Sequence, residues 1–304
     1  MFYKCLPLDT PDLQFAYCPS MGASILFAIL FGLTLFGHCL QAVHYRAFYT
    51  WVLIMSAIWQ TLAFIIRCIG IMNPTNEAIN NVTYCLVLLA PLWINAFCFM
   101  VMARLVHMFL PHHRIFRVKG SWLAALFVFL DILAFVVQLL GALKATNKDD
   151  RSVVQQGRDI YTIGVVLQQV FICLFILLTT AFLRNLRVRS TKPDAKGART
   201  LTLLLLGVLF LITVRVIYRI VEFSGKSGNA VTKELTTHEG WQYGLDTLPM
   251  FLATVVFHVY HPGRVLQGPD SSFPSRREKK RQKSLFEADK RANSESEYTL
   301  VTIV

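Results

Sequence analysis

Seven stretches of about 20 mostly apolar residues dominate the chain, near positions 20–43, 50–71, 82–106, 120–143, 160–183, 200–223 and 241–261. As helices, runs of that length cross a hydrocarbon core about 30 Å thick. No water reaches unpaired peptide groups in that core, and the runs lack the alternation of barrel strands, so each reads as an α-helix. The expected fold is an all-α membrane protein, a seven-transmembrane helix bundle. Composition agrees: 55% of the 304 residues are hydrophobic and 16% charged, against about 45–50% and about 25% in soluble domains.

The chain carries 30 Lys+Arg against 18 Asp+Glu, a net charge of +12, so placement decides whether nucleic acid is a partner. Of these basic residues 19 fall in the loops and tail on one face, 7 on the other, and Arg67, Arg104, Arg215 and Arg219 in the spans. Positive residues stay cytoplasmic, which puts the N-terminus outside and the C-terminus in the cytoplasm. The excess charge then faces anionic lipid, and no nucleic-acid partner is expected. Residues 1–19 are polar, with Asp9 and Asp12 and no basic segment before an apolar one, so an extracellular N-terminal segment is expected rather than a cleaved signal. Residues 20–263 form the transmembrane domain. Residues 264–304 read as a disordered cytoplasmic tail whose basic run, Arg276 to Arg281, either lies on anionic inner-leaflet lipids, at about 1 kcal/mol per basic residue, or is a solvated charge run that only enforces topology.

Seven cysteines show no spacing for zinc or a disulfide framework. Cys5 and Cys18, like Cys68 and Cys85, lie near enough in sequence or depth to meet, but free thiols are expected. Asn81-Val82-Thr83 is a glycosylation sequon on the outer face, beside the third span.

Ionisable residues within spans mark function by default. Arg215, Arg219 and Glu222 share one stripe of the sixth span, with Tyr218 beside it, because residues three and four apart lie on one helix face. Gln60 and Arg67 in the second span, Asp131 and Gln138 in the fourth, and Gly164 and Gln168 in the fifth form further narrow seams. With the topology above, Arg67, Gln138, Gln168, Arg215, Arg219, Glu222, Tyr243 and Asp246 fall in the outer half, and Asp131 near the middle. Inward-facing seams would enclose one polar pocket, with Arg215 or Arg219 facing Glu222, Asp131 or Asp246. The competing reading makes these groups interhelical ties worth about 0.6 kcal/mol each. His38 and His258 read as isolated packed residues, Arg104 as reaching for the interface, and Pro91 and Pro249 as kinks.

No GxSxG, HExxH or phosphate-cradling loop occurs, His112-His113 lacks ligand partners, and the seventh span has no Lys for a retinal Schiff base. No catalytic residue, metal or cofactor is expected, and the chain reads as a non-enzyme. Met102-Ala103-Arg104-Leu105 has no acid before the Arg, and the seventh span has no Asn-Pro-x-x-Tyr turn, so the marks of G-protein-coupled receptors are missing.

The segments Phe127-x3-Asp131-x6-Gln138-x2-Gly141, Arg215-x2-Tyr218-Arg219-x2-Glu222 and Glu239-x3-Tyr243-x2-Asp246, closing with His261-Pro262-Gly263, resemble the fungal lipid-translocating exporter family of the RTA type. Tyr17-x-Pro19-Ser20 and Ala90-Pro91 are similar to it as well, and the resemblance covers about residues 17–263. It implies a seven-span plasma-membrane protein of fungal origin, linked to export of sphingoid bases, phospholipids or amino-sterols and to stress resistance. In the second span the family usually shows Glu-x2-Gly-Tyr-x2-Arg, where this chain has Gln60, Ala63, Phe64 and Arg67. For this member the resemblance therefore implies a different substrate or no proton coupling. Three roles follow as expectations: a translocator holding amphipathic lipid in the pocket, a receptor or lipid-stress sensor acting through the basic loops and tail, or a membrane scaffold.

Overall fold

The computed structural model describes residues 5–7, 10–110, 114–115, 118–146, 150–189, 195–224 and 230–267, together with 281 and 284. The basic run before Arg281, the His112-His113 pair and nearly all of the tail lie outside the described residues. Residues 1–267 form one contact unit and 268–304 another.

Helices α1 (Met21–His44), α2 (Trp51–Met72), α3 (Glu77–Phe109), α4 (Gly120–Ala145), α5 (Arg151–Arg189) and α6 (Ala195–Ser224) match six of the apolar runs, several extending beyond them. These six are long and apolar enough to cross a bilayer, which makes the chain an integral multi-pass membrane protein. The seventh run is built differently. Short α8 (Glu239–Trp241) leads into a π-helical turn (Gln242–Thr247) and then α9 (Leu248–Val259). Pro249, at the start of α9, has no N–H to give, and its ring crowds the carbonyl four residues back, which a widened turn relieves. Helix α7 (Ala230–Thr237) precedes this run, and a two-residue antiparallel pair, Arg114–Ile115 with Val118–Lys119, joins α3 to α4.

Local signals set the helix starts. The Ser20 Oγ accepts from the Ala23 N–H at 3.2 Å, and the Asn76 Oδ1 from the Ile79 N–H at 3.2 Å, with Glu77 in the favourable first turn of α3. Consecutive helices pack side by side, and α9 closes the ring by packing on both α6 and α1. Helix α3 also touches α5 and α6, and is the most buried of the six. By contrast α1 and α4 turn broad apolar faces outward, among them Leu26, Ile29, Leu33 and Phe36 of α1 and Trp122, Phe129 and Leu140 of α4. In a bilayer such surface meets lipid tails rather than water.

Helices α4 and α5 approach most closely through glycine. A Cβ on Gly141 would collide with the Tyr161 backbone, and one on Gly157 with the Ala145 backbone. The segment His261-Pro262-Gly263 ends the bundle: the His261 ring stacks on Tyr45 at 4.6 Å, its Nδ1 accepts from the Gly263 N–H, and Arg264 Nε donates to the Tyr45 hydroxyl at 3.1 Å. Val265 and Leu266, expected in the tail, are buried with the bundle.

Three other expectations change. Cys5 and Cys18 are joined as a disulfide, because the turn through Thr10–Asp12 brings them together, while Cys68 and Cys85 remain free. His38 and His258 are not isolated: their rings meet edge to face at 5.4 Å, the missing side chain of Gly37 making room. The sequon is wound into α3, with Thr83 buried and its hydroxyl donating to the Ile79 carbonyl, so Asn81 lacks the surface-loop setting of an acceptor.

Candidate functional site

Three arginines and three carboxylates meet where α2, α6 and the π-helical segment converge. Asp246, on that turn, receives both arginines of the α6 stripe. Arg219 binds it with two parallel hydrogen bonds, Nε to Oδ1 at 3.1 Å and Nη2 to Oδ2 at 2.6 Å, and Arg215 Nε lies 2.7 Å from Oδ1. The planar fork of Arg suits this two-point grip. Arg219 also reaches Glu222 at 3.0 Å, whose other oxygen accepts from the Tyr218 hydroxyl at 3.2 Å. Arg215 donates its remaining reach to the Val87 carbonyl of α3 at 3.1 Å.

Arg67 of α2 occupies the rim of the same group. Its Nη2 lies 2.9 Å from Glu239, 3.0 Å from the Tyr17 hydroxyl and 3.4 Å from Gln242, and Tyr17 in turn donates to Gln242 at 2.5 Å. The segment before α1 therefore lies over the rim. Gln14 N–H bonds the Pro74 carbonyl, Phe15 faces the Arg67 guanidinium at 5.8 Å, and Ser20 N–H donates to Glu239 at 2.7 Å. Burial pushes the Tyr17 phenol above its ordinary range, against the opposing pull of Arg67, so it remains a donor. Tyr243 stacks flat on Phe27 at 5.2 Å, and its hydroxyl meets Ser24 at 2.9 Å.

Between rim and floor lies a small cavity lined by Gln60, Arg67, Arg215, Gln242 and Asp246, among others. Its volume, about 10 Å³ for water centres, suits about one water. The expected pocket is thus closed upon itself. Formal charges balance, three positive against three negative, and each charged group has a partner.

Asp131, Gln138 and Gln168 do not join this group, contrary to the expectation of one shared pocket. The ring order sets α4 and α5 across α3 from α2 and α9, so their seams meet each other instead. Asn95 of α3 donates to Asp131 at 3.0 Å, and Gln138 to Gln168 at 2.9 Å, both pairs buried. Arg104 lies over the Tyr49 ring at 4.1 Å. Among the described residues no group of three or more His, Cys, Asp or Glu side chains is placed to hold a metal.

Of the ten site candidates, Arg67, Arg215, Tyr218, Arg219, Glu222, Tyr243 and Asp246 come together. Gln242 and Asn95 were not singled out in the sequence, and Glu239 and Tyr17 stood there only as motif residues of the resemblance, outside the expected pocket. Glu239 stands one turn before Tyr243, a usable signal, whereas the partners of Tyr17 lie 50 and 225 residues away.

The family model for RTA1-like proteins matches residues 53–269, which contain all but the first two residues of α2, the α6 stripe and Asp246. The chain belongs to the RTA1-like family. This RTA1-like protein is 36% identical over 299 aligned positions to the "Probable lipid transporter atnI" of Emericella nidulans, covering 90% of this chain and 77% of that one. It is 25% identical to "Protein RTA1" of Saccharomyces cerevisiae (82% and 84% covered), and 23% identical to the yeast "Sphingoid long-chain base transporter RSB1" (84% and 75% covered). No solved structure matches it.

Proposed function

We propose that this RTA1-like protein is a non-enzymatic translocator of amphipathic lipids, with seven spans, its N-terminus outside and its C-terminus cytoplasmic, in the plasma membrane. The α8–π–α9 run is the seventh span: Glu239 to Val259 is about 30 Å of helix at 1.5 Å per residue, enough to cross. The carrying observation is the electroneutral network of Arg67, Arg215, Arg219, Glu222, Glu239 and Asp246 around a water-sized cavity, in a chain akin to named lipid transporters. A lipid headgroup carrying both phosphate and amine, or an amino-alcohol, can replace internal partners one for one: arginine takes the anion, carboxylate the amine. With a headgroup of both charges such exchange leaves no charge unpaired in a low-dielectric setting, where an orphaned charge is costly, whereas an amino-alcohol engages a carboxylate alone. The closed arrangement is then the substrate-free state. The segment through Phe15 and Tyr17 is the outer cover that must lift, while the acyl tail stays among membrane lipids.

The test is movement of a fluorescent sphingoid base across liposomes containing the purified full chain. Wild type is expected to accelerate it. The double variant Arg67→Gln/Glu239→Gln removes one ion pair without leaving a lone charge, so it should fold yet lose most of that acceleration. Undiminished movement in a folded double variant would assign the network to bundle register alone and end the headgroup reading.

A further inference from the structure

Among the described residues Asp131 is the one fully buried carboxylate that the arginine network leaves out. It stands near the middle of α4, 1% exposed, opposite Asn95 near the middle of α3, 0% exposed. At 1.5 Å per residue each is roughly 16 Å or more from the nearer end of its helix, far from water. No ion pair among the described residues includes Asp131. The elements packed on this part of α4 are α3, which brings Asn95 and the Cys98 thiol, and α5, which brings the Gln168 amide; neither brings it a cation.

The hydrogen bonding narrows the chemistry. Asn95 Nδ2 donates to Asp131 Oδ2 at 3.0 Å, while Oδ1 of Asn95 and Oδ1 of Asp131 are both buried without a donor. Two acceptors left over on a facing amide and carboxyl are what one hydrogen atom satisfies. A carboxylic acid gives its O–H to the amide carbonyl and takes the amide N–H on its own carbonyl, closing a reciprocal ring. A metal cation takes about six or more oxygens, and only these two are open. An ionised carboxylate here would be buried in apolar surroundings with only the neutral amides of Asn95 and Gln168 as partners, a costly arrangement.

We propose that Asp131 and Asn95 form a proton-binding site between α3 and α4, and that loading and release of this proton is coupled to lipid movement. The second clause rests on the translocator reading above; the first does not. In the loaded state the proton is on Asp131 Oδ1, bonded to Asn95 Oδ1, and the two helices are tied by a neutral pair. Release passes the proton to water and leaves a carboxylate that the closed bundle cannot solvate, so α3 and α4 must part enough to admit water or a cationic amine. Gln60, neutral in the second span, takes no part in this titration.

Infrared difference spectroscopy on the full chain in lipid nanodiscs, labelled with ¹³C-aspartate and titrated from about pH 5 to about pH 9, reads the site directly. Expected is a protonated-carboxyl band at low pH that carries the isotope shift, fades as pH rises, and is missing from Asp131→Asn. That variant keeps the shape of the acid, and should fold. If it does not, the isotope-shifted band of the wild type still decides. An aspartate signal that is ionised throughout, or one that answers to sodium rather than to pH, would overturn the site.

Coupling is read in liposomes with a fluorescent sphingoid base under an imposed pH difference. One proton exchanged per lipid turns one pH unit into about a tenfold accumulation ratio. Wild type should show this and Asp131→Asn should show the same ratio with and without the gradient. Movement indifferent to the gradient in wild type overturns the coupling. No movement at all in wild type, with the infrared band intact, overturns the translocator reading and the coupling while the proton site stands.

Discussion

The two polar regions of the bundle solve burial in opposite ways. On the α2, α6 and α9 side, six charges are gathered from the second, sixth and last helical runs, and each is neutralised by another. On the α3, α4 and α5 side, amides and one carboxyl pair by single hydrogen bonds, and glycines bring the backbones together. The charged side is brittle to the loss of one partner, since its energy lies in compensation. The amide side is tolerant, since amides are neutral before and after. A site that swaps partners with a charged headgroup belongs in the first region, and a site that loads a neutralising proton belongs in the second.

The sharpest way to break this contrast is Asp246→Asn. It leaves Arg215 and Arg219 facing one amide where a carboxylate held both. Removal of one member of a buried ion pair costs about 3–5 kcal/mol, so thermal unfolding in detergent should show a large loss, with little folded protein recovered. If Asp246→Asn unfolds no earlier than wild type, the network is hydrated and the comparison fails. Arg67→Lys probes the rim. The charge stays opposite Glu239, but the contacts to Glu239, Tyr17 and Gln242 all come from Nη2 at the far end of the guanidinium, which the shorter lysine side chain does not reach in the same place. A loss of about 1.5–3 kcal/mol is expected, the value of a charged hydrogen bond. Protease cleavage before Ser20 should also increase as the outer segment loosens.

Much of the architecture was legible because lipid allows few alternatives: length and hydropathy locate α1, α2 and α4 almost to their ends, and the apolar centres of α3, α5 and α6, whose more polar ends run on by up to nine residues. The stripe Arg215, Arg219, Glu222 was equally legible, since helical spacing alone puts it on one face. Which stripe meets which was not. Asp131 and Asp246 look alike in sequence, each an acid within an apolar run, and only the packing of α4 on α5 and of α9 on α6 sends one to an amide and the other to two arginines. Depth is likewise a weak guide to contact, because groups at one height on opposite sides of α3 never meet. The π-helical turn was foreshadowed by Pro249, yet a proline tells where a helix is disturbed and not how.

On the tolerant side, Gly164→Ala is expected to cost about 1–3 kcal/mol. A Cβ there would sit 2.8 Å from Gln138 Cγ and 2.9 Å from the Gln138 backbone nitrogen, so α4 and α5 must separate rather than merely turn a side chain. The smallest effect belongs to Gln138→Leu, which removes the bond to Gln168 and keeps the volume apolar. Interhelical hydrogen bonds in membranes average about 0.6 kcal/mol, and Gln168 retains Asp131 nearby as an alternative partner. Unfolding of Gln138→Leu should therefore nearly match wild type, and a Gln138→Leu/Gln168→Leu double variant should lose no more than the singles combined. A loss near that of Asp246→Asn would show that the bundle depends on the amide pair no less than on the ion pairs, and the distinction between a brittle and a tolerant side would disappear.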